Sequence, residues 1–204
     1  MLARVMSAGS QSFRKPDYET TTSYEERKAE LASLLERVEQ DLRRDLALYQ
    51  TVLDLFKEAV ECYCHGLNLS TCVMCRATLE AALHVWQHHK IEIKKGRSWS
   101  HSWRVPEKMP GLSGLLRDAS NFSNPRRILD NRHKRLAEDI KNMGDIASHL
   151  EQRKDKSADE AFTSDTAEYR DRIAPEEAEE TLRNLGKVLL YTSPRIREQI
   201  VKYG

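Results

Sequence analysis

Lys141, Asp145 and His149 stand four residues apart in the stretch 124–152. An imidazole titrates near neutral pH and can take and return a proton, while an ammonium group can neutralise a phosphate. These residue types suit acid–base work, with Asp145 placed to hold either cation. At about 100° per residue, steps of four put all three side chains on one ridge of a helix. A carboxylate beside an imidazole favours the protonated, acid form.

The helix that must carry them is written in the apolar pattern. Leu129, Leu136, Ile140, Met143, Ala147 and Leu150 fall within roughly 60° of one line at helical pitch. The spacing predicts one amphipathic helix over 124–152, with Pro125 in its first turn and Asn124 or Ser123 as cap. Glu138, Lys141, Asn142, Asp145 and His149 take the opposite face, where solvent, a ligand or a second subunit is expected to meet them. His133 lies near the apolar line and reads as a core-edge histidine. The spacing Arg127-x5-His133 is one that chance supplies in so arginine-rich a chain.

Composition sets the class. Of 204 residues 32% are charged, and Gly and Pro are scarce, a profile of an all-helical protein with one or at most two domains. A net charge of +1 excludes a global basic field, so nucleic-acid contact would need a local patch. No segment approaches the ~20 apolar residues of a membrane span, and the first ten residues lack a signal peptide's apolar run. A cytoplasmic location is expected, with the four cysteines reduced.

Residues 1–22 are expected to form a disordered tail. Ser23–His65 contains no Gly or Pro, and Leu31, Leu35, Val38, Leu42, Leu46, Tyr49, Leu53, Phe56 and Val60 recur in steps of three and four, close to a heptad seam. Two readings follow. Either one long helix packs its second half in the core, or a helical arm over 23–48 leaves a bundle at 49–204 to pair with a partner protein or a second copy. Gly66 ends this helix, and Ser70 caps the next, about 71–89. On its flank Arg76 and Glu80 form an expected structural pair. A short helix over 113–120 precedes the central one, and 153–173 reads as a mobile insertion. Pro175-Glu176-Glu177 opens another helix, which Ser193-Pro194 is expected to break before a short final one.

Cys62, Cys64, Cys72 and Cys75, with His65, invite a zinc reading. They sit inside two helices rather than on turns, so small buried hydrophobes are expected, with no metal and no cofactor. Lys94, Lys95 and Arg97 interleave with Trp99 and Trp103. Such a loop can hold single-stranded RNA through phosphate contacts and base stacking, or be a surface loop pinned by its tryptophans.

Three segments carry a resemblance. Ala59-x2-Cys62-x3-Gly66 with Arg76-Ala-Thr-Leu-Glu80 looks like the first hairpin of the DUF 4145 family. Ile140-Lys-Asn-Met-Gly-Asp-Ile-Ala-Ser-His149 resembles that family's I-R-x-x-G-N-x-A-x-H signature, and Ala174-Pro-Glu-Glu-Ala178 resembles the start of its last helix. The likeness spans about Tyr49–Tyr191. The family is similar to the HEPN superfamily (higher eukaryotes and prokaryotes nucleotide-binding). That resemblance implies an antiparallel up-down helical bundle that often dimerises, frequently in antiphage defence or toxin–antitoxin systems. Many members are metal-independent ribonucleases that pair an Arg with a His in a dimer cleft. Here Lys141 replaces the signature's Arg and lacks its bidentate fork, and Asp145 replaces its Asn.

The expected fold is therefore all-α, a HEPN-like up-down bundle with a long N-terminal arm, and a homodimer is expected. Three functional classes fit: an RNA- or nucleotide-associated domain binding through the central helix ridge, an endoribonuclease using His149 and Lys141, and a dimeric interaction module acting through the arm.

Overall fold

A computed structural model describes residues 21–94, 110–149 and 173–203. Its helices are α1 (Thr21–Leu42), α2 (Leu46–Cys64), α3 (Asn68–Lys94), α4 (Leu112–Ser120), α5 (Asn131–His149) and α6 (Pro175–Tyr203), with a 3-10 turn at Arg43–Asp45 between the first two. No strand occurs among the described residues, so the chain is all-α, as its composition predicts. None of the described helices is long and apolar enough to cross a membrane. The tail over 1–20, the basic loop with Lys95, Arg97, Trp99 and Trp103, and the insertion up to 172 lie outside the described residues. For Lys94 and His149 only the backbone is described.

The seam over residues 31–60 is spent inside the chain. Leu31, Val38 and Leu42 of α1 are fully buried together with Tyr49, Val52, Phe56 and Val60 of α2. The uninterrupted helix and the free arm are both corrected, because α1 folds back antiparallel along α2. Tyr24 Oη donates to Glu61 at one end of the pair, and Lys57 meets Glu39 at 2.7 Å nearer the other. The same face of α1 also packs on α6, where Gly186 leaves room for Leu34. The reversal needs neither Gly nor Pro because a distant residue supplies the cap. Arg197 of α6 donates to the Asp41 carbonyl at 3.0 Å and to its carboxylate at 2.6 Å, while Ser193 Oγ donates to the second carboxylate oxygen. A carbonyl in the last turn of α1 is thereby satisfied by α6 instead of by further helix.

α2 ends as the sequence predicts. Gly66 takes φ 72°, the amide of Gly66 donates to Tyr63 and that of Leu67 to Cys62, a Schellman closure that the left-handed glycine allows. α3 begins at Asn68, slightly earlier than expected, and packs against α2, α4, α5 and α6. It buries Cys72, Cys75, Leu79, Ala82, Leu83 and Trp86. Core hydroxyls of Thr71, Thr78, Thr181 and Thr192 donate to the carbonyl four residues back, so they enter the interior satisfied. α6 opens at Pro175 and runs through Pro194 without the expected break. Ile196 is buried two residues beyond it, and packing of this last part offsets the one donor that proline lacks.

The central helix is shorter than its apolar pattern predicts. Pro125 lies in a turn, and α5 starts only at Asn131. Two forces hold the preceding segment off the helix. Ile128 and Leu129 are adjacent and both buried, and both their amides donate to Ala119 at 3.0 Å. Asn124 Oδ1 accepts the Arg126 amide, and Asp130 Oδ1 accepts the His133 amide at 2.8 Å as the true N-cap. From there Ala137, Ile140 and Ala147 are buried, and Leu136 and Met143 pack at the core's edge.

Candidate functional site

On α5 Asp145, the middle member of the predicted ridge, faces a neighbouring helix of its own subunit. Asp145 Oδ1 accepts Arg76 Nε of α3 at 2.8 Å, and Oδ2 accepts Lys141 Nζ at 2.6 Å. Glu80 extends the chain, 3.6 Å from Arg76 Nη1. The expected Arg76–Glu80 pair thus exists, yet the shorter partner of Arg76 is Asp145. Gly144 makes the approach possible, since a Cβ there would lie 2.4 Å from Arg76 Cβ. Burial pushes the Asp145 carboxyl up, but the ammonium of Lys141 and the guanidinium of Arg76 outweigh it and hold it below the ordinary range. Asp145 is an anion shared by two cations. Its chemistry is that of a clasp between helices, and Lys141 is partly neutralised by it.

Lys141 also borders a groove of about 730 Å³ between α4 and α5, with Arg117, Phe122, Lys134, Glu138 and Asn142 around it. Phe122 is 66% exposed, and the Arg127 guanidinium carbon stands 4.4 Å from its ring centroid. The Asn121 side chain accepts the Ser123 amide and so fixes the turn that presents this ring. An exposed aromatic ring beside cations matches what a nucleobase and its phosphate need.

A second groove, about 510 Å³, lies between α1, α5 and α6. At its edge the His133 ring stacks on Tyr191, centroids 3.5 Å apart and planes 11° from parallel. Arg195 packs its guanidinium carbon 3.5 Å from the same Tyr191 centroid, which places it on the other face. His133 Nδ1 is 2.8 Å from Asp130 Oδ1. Burial raises the Asp130 carboxyl, whereas hydrogen bonds from the His133 amide, its ring and Tyr191 lower it further, to about 2. Core-edge histidine describes His133 well, but Asp130 and Tyr191 were not anticipated. The signal was present as Asp130-x2-His133, a capping spacing hidden by starting the helix at Pro125.

The thiols offer little chemistry. Cys64, Cys72 and Cys75 are buried, and burial pushes Cys72 up to about 11 and Cys75 well above the usual thiol range. No group of three or more His, Cys, Asp and Glu side chains converges as metal ligands would among the described residues.

Compared with protein-family models, with curated proteins and with solved structures, the chain matches none.

Proposed function

We propose that this is a HEPN-like domain of the DUF 4145 kind that binds single-stranded RNA in the α4–α5 groove and leaves it intact. The carrying observation is that Phe122, 66% exposed, shares one groove with Arg117, Lys134 and Lys141. Stacking on the ring and phosphate contact with Arg117 and Lys134 supply sequence-tolerant affinity. Arg117 has no carboxylate partner among the described residues, and the Lys134–Glu138 contact, 3.5 Å and half-exposed, holds little in water.

The resemblance gains support from a contact it did not require. Arg76 of the R-x-x-L-E segment meets Gly144 and Asp145 of the other signature. Helix directions also fit an up-down bundle: α3 meets Asp145 first, through Arg76, and Arg126 later, through Trp86, so it runs opposite to α5, while Tyr63 of α2 reaches Glu179 near the start of α6. Against turnover stands the Lys141–Asp145 pair, since a lysine held by a carboxylate is a poor grip for a phosphate whose charge is developing. Pairing of two copies would use α5, where Ile146 is 51% exposed.

The test is fluorescence anisotropy with a labelled single-stranded RNA at low salt, followed by a gel of the recovered RNA. Binding that weakens about tenfold in Phe122→Ala, with full-length RNA recovered, is the expected result. Equal affinity in Phe122→Ala and wild type removes the groove from the proposal. Fragmented RNA with wild type, and intact RNA with His149→Ala, turns the reading into that of an endoribonuclease.

A further inference from the structure

The groove between α1, α5 and α6 is lined by more positive charge than the chain itself compensates. Arg37 of α1 and Arg132 of α5 are exposed, and neither has an ion-pair or hydrogen-bond partner for its side chain among the described residues. Among the described residues Lys187 of α6 donates only to the neutral amide of Asn184, at 3.1 Å. Arg183 is matched by Glu179 at 2.7 Å, which leaves Glu30 as the one carboxylate in the lining against Arg37, Arg132 and Lys187. Asp130 stands nearby, but its carboxylate is committed to His133 and Tyr191.

Shape and lining sharpen the point. Leu34, Leu136 and Leu190 also line the groove and pack on the core, so the cations stand beside low-dielectric walls. Like charges on such walls focus their field outward and draw an anion of matching multiplicity. Arginine forks meet phosphate oxygens through paired donors. Both faces of Tyr191 are covered, one by His133 and the other by Arg195, so that ring is closed to a base. Recognition here would run on charge alone.

We infer that this groove is a binding site for a polyphosphate group, held by Arg37, Arg132 and Lys187 from three helices. The group is either a free inorganic polyphosphate or the triphosphate tail of a nucleotide, and the site is independent of the RNA reading of the α4–α5 groove.

Calorimetry of the full chain at low salt distinguishes the sources with three probes: inorganic tripolyphosphate, ATP and AMP. Tripolyphosphate and ATP are expected to bind alike, and AMP about tenfold or more weakly, because one phosphate cannot span three cations. Arg37→Ala/Arg132→Ala is expected to lose tripolyphosphate about tenfold or more, whereas Arg135→Ala, an exposed cation of α5 outside the groove, keeps it. Both groove arginines are exposed, so the double variant should melt like wild type, and circular dichroism checks that it does. No binding of tripolyphosphate at millimolar concentration overturns the inference. So does equal loss in Arg135→Ala, which would mean general charge attraction. ATP binding far more tightly than tripolyphosphate would also overturn it, by showing that the base is read.

Discussion

Arg76 and Asp145 join α3 to α5 through a 2.8 Å bond from Nε to Oδ1, directly beside a glycine whose missing side chain lets the helices close. Sixty-nine residues separate the two in sequence. Asp145 thus ties α5 to its neighbour, and Lys141 pairs with the same carboxylate from its own helix.

Gly144→Ala tests that closeness. An alanine gains about 1 kcal/mol of helix propensity over glycine, yet its Cβ would sit 2.4 Å from Arg76 Cβ, an atom next to the backbone that cannot swing away. Overpacking of this sort costs about 1–3 kcal/mol and more when backbones must part. Urea denaturation is expected to show a net loss, and a gain in stability would mean that α3 and α5 do not approach this closely.

Acid should weaken the fold through two carboxylates. Asp130 titrates at about 2 in the folded chain, and Asp145 also lies below its ordinary value. Since an unfolded aspartate titrates at about 3.9, the folded form favours the anion. Their stabilisation is full above about pH 4 and is lost as pH falls toward 2. Denaturation midpoints between pH 5 and 2.5 should drop, and Asp130→Asn should flatten part of that drop while lowering stability at pH 7. A slope unchanged in Asp130→Asn would contradict the His133–Asp130–Tyr191 arrangement.

Leu31→Ala probes the docked α1. Leu31 is 1% exposed, and emptying such a site costs about 2–5 kcal/mol. A free arm would tolerate the change within about 0.5 kcal/mol, as surface sites do. Chemical denaturation of the Leu31→Ala chain beside wild type separates the two outcomes.

Arg197→Ala should release the α1–α2 turn. Asp41 has a side chain only 13% exposed, and stripping a largely buried carboxylate of its partner costs on the order of 3 kcal/mol. Hydrogen exchange at the amides of 43–47 is expected to accelerate more than elsewhere. Uniform acceleration along the chain would mean that Arg197 is a general core residue rather than a cap.

Helix identity was legible because apolar spacing and one left-handed glycine suffice for it. Gly66 marked a turn that any L side chain resists, and the line through Ile140 and Ala147 marked a buried face. Boundaries set by distant contacts were not legible. Nothing near Arg43 announces a reversal, since its cap comes from Arg197, and the pattern at Leu129 fits a helix that buried Ile128 and the Ala119 carbonyl forbid. Of the site, the Lys141–Asp145 pair could be read from its i, i+4 spacing. Arg76 could not be joined to it, because which flank of α3 meets α5 depends on packing that periodicity leaves open. Asp145 therefore looked free when a neighbouring helix already held it.

The most direct test is the salt dependence of RNA affinity, measured for wild type and Arg117→Ala with RNA integrity followed in the same samples. Contact with two to three phosphates gives a slope of log affinity against log salt between about −1.4 and −2.1, reduced in size by about 0.7 when Arg117 is removed. Intact RNA with that slope is the expected result. A slope near zero, or RNA that wild type cuts and His149→Ala spares, would contradict a binding groove flanked by a structural clasp.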